Sequence, residues 1–403
     1  MRVLFFTTGT IGNISNPGIY SDLLRCFANN GHEVYIVSSR EKRFNRETEL
    51  IDEGMCKHLY VKIGNLTKTN LIEKGISTLT IESKYLNAVK EYFGNVKFDL
   101  VLYSTPPITL VKAIEYVKKR DNAKTYLLLK DIFPQNAIDL GMLKTSGLKG
   151  LIYKHFRNKE KRLYAISDKI GCMSQANCDF VLKHNPEIDP KKVEICPNSI
   201  EVIDMRIAEN EREEMRKKYD IPFDKKVFVY GGNLGKPQGI SFLIDCLKAE
   251  LENKQAYFLI VGDGTEFSVL EKFFNEFKPK NMKLMKRLPK EDYDKMVAAC
   301  DVGMIFLDYR FTIPNFPSRL LSYMQAGLPV LACTDSNTDV GKVITDGGFG
   351  WWCESNDLIM FVNLIDTIVK EELQEKSDNS TSYLLNEYTV EKGYHIIVNN
   401  YKE

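Results

Sequence analysis

The stretch RVLFFTTGTIGNISNPGIYSDLLRCFANNGHEVYIVSS, residues 2–39, decides the fold class. It opens on a strand-like apolar run, RVLFFTT, and passes through a loop rich in Gly, Asn and Pro. It then enters YSDLLRCFANN, whose apolar residues recur at three and four as on one face of a helix. Gly31 stops that helix, and EVYIVSS begins a second strand. Strand, helix and strand in this order make a βαβ unit, whose right-handed crossover requires a parallel sheet.

Working outward, the same alternation continues. Strands are expected at FDLVLYS (98–104), TYLLLK (125–130) and DKIGCMS (168–174), with helical patterns between them. After VEICPNSIEV (193–202) the apolar strands stop and a charged segment runs from Asp204 to Lys226. A second alternating series follows at KVFVYGG (226–232), AYFLIVGDG (256–264), MKLMKRL (282–288), VGMIFL (302–307) and PVLACT (329–334). The expectation is an α/β protein of two doubly wound, Rossmann-like domains facing a cleft, with a boundary near 197–205. The domains are read as 1–200 and 201–385. The last segment, 386–403, carries apolar and aromatic residues at helical spacing.

A chain of 403 residues suits two domains better than one. Lys and Arg number 55 against 54 Asp and Glu, so no global basic footprint for nucleic acid exists. The nine cysteines are scattered without a Cys-x-x-Cys pair, which fits reduced thiols better than a disulfide framework or a zinc site. The five histidines show no metal-ligand spacing, and no metal or cofactor is expected. The start MRVLFFTTGT is too short and too quickly polar for a signal peptide, and no run approaches the length of a membrane span. A cytoplasmic location is expected.

Open parallel sheets bind ligands beyond the carboxyl ends of their strands, so the loops there are the first candidates. In YGGNLGKPQG (230–239), Gly231, Gly232 and Gly235 let backbone approach a ligand, and Lys236 adds a cation. The ordinary alternative is a glycine-rich turn; the loop is neither a Walker loop nor a dinucleotide fingerprint. Gly262-Asp263-Gly264 is either a second ligand loop or a tight strand-to-helix turn. Gly18 opens the first helix and could present amides to an anion, though a Pro-Gly turn needs none. Lys130 and Asp131 end a strand, and such a pair can serve acid/base or hydroxyl-binding work. The basic amphipathic segment 148–164 fits an anionic membrane surface or, more commonly, an ordinary solvated helix face. No nucleophile elbow occurs.

In their order along the chain these features resemble a GT-B glycosyltransferase of family 4, the retaining sugar-nucleotide enzymes. The residues carrying the resemblance are NPGIYSDLLRCFANNGHEVYIVSS, DIFPQNAIDLGMLK, ISDKIGCMSQ with CPNSIE, YGGNLGKPQGI, LIVGDG, CDVGMIFL and PSRLLSYMQAGLPVLA. The subgroup it looks like builds bacterial surface polysaccharides, such as capsule and O-antigen.

The resemblance implies a nucleotide-diphosphate sugar donor, with UDP favoured, in the second domain. It implies an acceptor in the first domain, and a last helix that crosses back to that domain. The acceptor would be a glycan or a polyprenyl-diphosphate-linked glycan at the inner face of the membrane. Donor-binding residues would be Gly18, Gly232, Asn233, Lys236, Gln238, Gly262, Gly264, Ser318, Arg319, Leu320 and Ser322. Asp131 would position a hydroxyl, and Lys236 with Arg319 would stabilise the leaving diphosphate. Where the family often carries two glutamates, this chain has Pro314 and Ser322, and the usual Arg and Lys of the glycine loop read Asn233 and Gln238. Those departures leave two other readings open: a sugar-nucleotide epimerase of the same fold, or a nucleotide-sugar-binding protein without turnover.

Overall fold

The computed structural model describes residues 1–9, 11–66, 69 and 71–401; Thr10 of the first loop and Lys402 and Glu403 of the last segment lie outside the described residues. The chain forms two compact units. The first comprises Met1–Glu201 and Thr389–Glu403, the second Val202–Tyr388.

The first unit contains β1 (Arg2–Phe6), β2 (Glu33–Glu41), β3 (Glu49–Asp52), β4 (Cys56–Ile63), β5 (Leu100–Thr105), β6 (Lys124–Leu129), β7 (Lys169–Cys172) and β8 (Val193–Ile195). Their order in the sheet is β3-β4-β2-β1-β5-β6-β7-β8. Every pairing is parallel except β3 with β4. Strands covered on both faces read as continuous apolar runs, and Val3, Leu4, Phe5 and Phe6 of β1 are all buried. The winding reverses between β1 and β5, and the loops after β1, β5 and β6 gather near that point.

The helix Ile19–Asn29 buries Leu23, Leu24, Cys26 and Phe27 on this sheet. The last helix, Val390–Asn399, packs beside it in the same core, with Phe27 edge-on to Tyr394 at 4.9 Å between centroids. His32 Nε2 meets Tyr394 Oη at 2.8 Å, and Val390 N–H donates to Ile200 O at 2.9 Å. The terminal segment is thereby tied into the first unit by polar bonds as well as packing.

The second unit contains β9 (Lys226–Asn233), β10 (Ala256–Asp263), β11 (Met282–Lys286), β12 (Val302–Phe306), β13 (Val330–Thr334) and β14 (Gly350–Glu354). They are all parallel in the order β11-β10-β9-β12-β13-β14. This is the doubly wound order in which the first strand lies at the switch point, here between β9 and β12. The expected strands of both series are present. β3, β4 and β14 were not anticipated. All nine cysteines are free and buried.

Candidate functional site

The glycine loop leaves β9 at the switch point of the second sheet. Tyr323, on the helix Arg319–Gln325, holds this point together: its hydroxyl accepts from Gly231 N–H at 3.1 Å and lies 3.2 and 3.1 Å from Val229 O and Met304 O. β9 and β12 are thus bridged by one side chain. The ring fits because Gly303 has no side chain; a Cβ there would sit 2.4 Å from Tyr323 Cγ. Gly231 likewise leaves room for Tyr293, whose hydroxyl would be 1.8 Å from a Cβ at that position. Burial raises the Tyr323 hydroxyl to about 12, so it stays protonated and can donate.

The loop is tied to the ends of β10 and β12 by backbone bonds. Leu234 N–H donates to Asp263 O and Glu266 N–H to Leu234 O, both at 2.9 Å, while Asp308 N–H donates to Pro237 O at 3.0 Å. Gly262 and Gly264 are explained by this closeness. A Cβ on Gly262 would lie 2.0 Å from Gly232 O, and one on Gly264 2.3 Å from Leu234 O. The close approach of two strand ends requires these two glycines whether or not a ligand is bound.

Asn233 and Gln238 bond to each other: Asn233 Nδ2 donates to Gln238 Oε1 at 2.9 Å, and Gly235 N–H donates to the same oxygen at 3.2 Å. Where the resemblance supplies an arginine and a lysine, this chain has an uncharged amide staple. Lys236, between them, is exposed and forms no ion pair among the described residues.

Arg319 is the other cation. Its guanidinium carbon lies 4.3 Å from the centroid of the Tyr230 ring. A Cβ on Gly232 would come within 3.3 Å of its Nη2, so the guanidinium abuts the glycine loop. Nη1 is buried and has no hydrogen-bond partner among the described residues. A guanidinium is always charged, and a buried charge without a carboxylate is costly. The arrangement is chemically suited to an anion that takes two parallel N–H bonds, such as a phosphate.

Two expected backbone donors are already engaged. Leu320 N–H donates to Pro317 O at 3.2 Å and its side chain is buried, so it offers no open amide. Gly18 N–H donates to Asp22 Oδ1 at 3.0 Å, and Arg25 occupies the same carboxylate at 2.7 Å. The Gly18 amide is thereby engaged by a side chain of its own helix. Ser318 caps the helix start without a side-chain cap bond, and Ser322 is half-buried one turn further on. Pro314, at the position of the first family glutamate, is buried.

In the first unit, Asp131 follows β6. Its Oδ2 accepts from Asn136 Nδ2 at 2.7 Å and its backbone carbonyl from Thr105 Oγ1 at 3.1 Å. Burial pushes its carboxyl up to about 6, partly opposed by bonds from the Ile132 amide and Asn136. Lys130 points elsewhere: Nζ donates to Cys196 O at 3.1 Å, and burial lowers its pKa. The neighbouring pair thus separates into a structural lysine and a half-buried carboxyl. Sequence reasoning missed Tyr230, Tyr293, Tyr323 and Asn136. Among the described residues no group of three His, Cys, Asp or Glu could hold a metal ion.

Residues 211–383 match the family model described as Glycosyl transferases group 1. The chain is 26% identical over 335 residues to "Probable glycosyltransferase WbjE" of Pseudomonas aeruginosa, covering 81% of this chain and 80% of that one. It is 21% identical over 362 residues to "Putative colanic acid biosynthesis glycosyl transferase WcaI" of Escherichia coli K12, covering 85% and 86%. In three dimensions it superposes on Anabaena HepE, solved in complex with UDP, with a TM-score of 0.68, 14% identity and 99% of each chain covered. The fold is GT-B, and the second unit carries a group 1 glycosyltransferase domain. The chain is a glycosyltransferase, similar over most of its length to relatives named as glycosyltransferases, one of them for colanic acid biosynthesis.

Proposed function

We propose that this enzyme moves a hexosyl or N-acetylhexosaminyl group from a UDP-sugar to a hydroxyl of a glycan or polyprenyl-diphosphate-linked glycan in surface-polysaccharide synthesis. The observation that carries the reading is Arg319: a half-buried side chain whose guanidinium stacks on Tyr230 beside Gly232, with Nη1 buried and unpartnered among the described residues. A diphosphate would satisfy it, and Lys236 would add a second, mobile cation. The likeness to WcaI, named for colanic acid biosynthesis, supports the polysaccharide context, and the UDP of HepE supports the nucleotide.

In the reaction the bond from the sugar's anomeric carbon to the diphosphate oxygen breaks, and UDP leaves with the electron pair. Arg319 and Lys236 stabilise that charge as it develops, without a metal. The acceptor oxygen bonds the anomeric carbon on the same face, and its proton passes to the departing phosphate oxygen, so configuration is retained. Asp131 positions the acceptor hydroxyl.

The test is a thermal-shift panel of UDP, GDP, dTDP and CMP sugars, followed by transfer assays. A ligand at 100 times its dissociation constant stabilises by about 2.7 kcal/mol. A flat response to every nucleotide would overturn the donor site. If Arg319→Ala and Lys236→Ala both kept turnover within about twofold of wild type, the leaving-group roles would be wrong, because a charged hydrogen bond is worth roughly 1.5–3 kcal/mol.

A further inference from the structure

The basic amphipathic segment 148–164, which fits either a membrane surface or an ordinary solvated face, lies within the helix Gly147–Ile166, and the structure divides its charges. Toward its end the cations are already engaged. Arg157 pairs with Glu160 and also bonds Asn185 Oδ1, Lys159 pairs with Glu82 at 2.8 Å, Lys161 with Glu187 at 3.0 Å, and Arg162 with Glu115. These bonds fasten the helix to the first unit and leave little charge to offer outward.

The beginning of the helix is different. Leu148 is 83% exposed, Leu151 63% and Ile152 47%, and Met142 just before the helix is 59% exposed. Leu148, Leu151 and Ile152 stand at i, i+3 and i+4, so they share one stripe. The inward side of the helix near the stripe is marked by the buried Gly150, and one face further along by the buried Glu160 and Tyr164. At about 100° per residue, Gly150 and Tyr164 lie roughly opposite Leu148. The apolar stripe therefore faces away from the body it is packed on.

Lys149 and Lys154 fall at about 100° to either side of the stripe. They and Lys144 are exposed and have no ion pair among the described residues. From Leu140 to Lys159 the sequence contains no Asp or Glu.

We propose that Met142, Leu148, Leu151 and Ile152, flanked by Lys144, Lys149 and Lys154, dock this enzyme on an anionic lipid surface. The apolar side chains enter the boundary between headgroups and acyl chains, and the lysines run their stems along them to reach lipid phosphates. Both parts are needed, since so short an apolar stripe binds weakly alone and juxtamembrane lysines act only near negative charge. A second copy of the chain fits less well. A stable interface takes about 800 Å² from each partner, far more than these side chains offer, and pairing the patch with itself would bring lysines together. Among the described residues no helix is long and apolar enough to cross a membrane, so the contact is peripheral.

The test uses the full chain and co-sedimentation with phosphatidylcholine vesicles, with and without phosphatidylglycerol, at low and high salt. Binding is expected only with phosphatidylglycerol and is expected to weaken with salt. The combined Leu148→Ser, Leu151→Ser, Ile152→Ser variant and the combined Lys149→Glu, Lys154→Glu variant should each lose roughly tenfold or more in vesicle affinity. Lys161→Gln should bind like wild type, because that lysine is already paired. Circular dichroism and the UDP thermal shift check that each variant is folded and keeps its donor response. Equal binding to neutral vesicles, or retention by both combined variants, would overturn the proposal. So would a dimer in light scattering that the serine variant dissolves. A missing UDP response with intact vesicle binding would count against the donor reading alone.

Discussion

The Arg319 guanidinium lies 4.3 Å above the Tyr230 ring, and the Tyr230 hydroxyl donates to Asn233 O at 3.0 Å. One tyrosine therefore supports the cation with its face and the glycine loop with its edge. Arg319→Lys keeps the charge but loses the planar fork and the stacking, so it is not a conservative change. UDP affinity, measured by calorimetry, should fall roughly 10- to 150-fold, the equivalent of 1.5–3 kcal/mol. Tyr230→Phe keeps the ring face and frees the loop, and should cost less affinity than Arg319→Lys. A larger loss for the phenylalanine variant would place the binding energy in the loop.

Gly262→Ala puts a methyl group 2.0 Å from Gly232 O, against backbone that cannot swing away. Overpacking of this kind costs about 1–3 kcal/mol. The melting temperature of the second unit should fall and UDP binding should weaken with it, since Gly232 carries the backbone beside Arg319. Gly31→Ala, in the first unit, provides the contrast: nothing lies within 4 Å of its Cβ, although φ is +79°. It should affect stability without changing UDP affinity.

The legible parts of this chain were the buried parallel strands. VLFF of β1, LVLY of β5 and VFVY of β9 are uninterrupted apolar runs because both faces of each are covered. β4, CKHLYVKI, interrupts its buried positions with Lys57, Tyr60 and Lys62 and buries a histidine, so it lacked that signature. In the glycine loop the glycines could be found from their place after a strand, and Arg319 through the family resemblance. Tyr323 and Tyr293 could not, because their places depend on the missing side chains of Gly303 and Gly231, far away in sequence. The division of the basic helix was equally hidden: Lys159 pairs with Glu82 and Arg162 with Glu115, partners 77 and 47 residues away.

Asp131 should set the acid limb of the rate. With its carboxyl raised to about 6 by burial, the ionised form that accepts an acceptor hydroxyl fills only above that pH. The kcat/KM profile should climb about tenfold per unit below pH 6 and level above it. Asp131→Asn should lower the plateau and remove the limb. Its effect on stability has the opposite sign. The folded state holds this proton between about 3.8 and 6, so stability falls as pH rises through that window. Replacing the carboxylate should then raise the melting temperature at pH 7, by at most about 3 kcal/mol of stability. Lower activity with higher stability marks a functional burial; loss of both would make Asp131 a structural residue.

His58 sets the acid limit of the first unit in the other direction. Its ring is fully buried, with Nε2 2.7 Å from Ser38 Oγ and Glu53 Oε1 3.5 Å from Nδ1. Arg40 and Tyr60 are the other polar neighbours. Burial, aided by the charge of Arg40, lowers the ring to about 4 from its ordinary 6.5. An unfolded chain takes up the proton first, so the stability held above pH 6.5 is lost as pH falls toward 4. The full loss is about 3 kcal/mol at 1.36 kcal/mol per unit. His58→Gln removes the titration while keeping a polar partner for Ser38. Asp131 and Glu250, both raised to about 6, act against the loss in wild type and variant alike, so they cancel in the difference. The gap in unfolding midpoint between wild type and variant, followed from pH 7 to pH 4, should therefore shrink or reverse on acidification. A constant gap would mean that the buried imidazole titrates no differently from a free one.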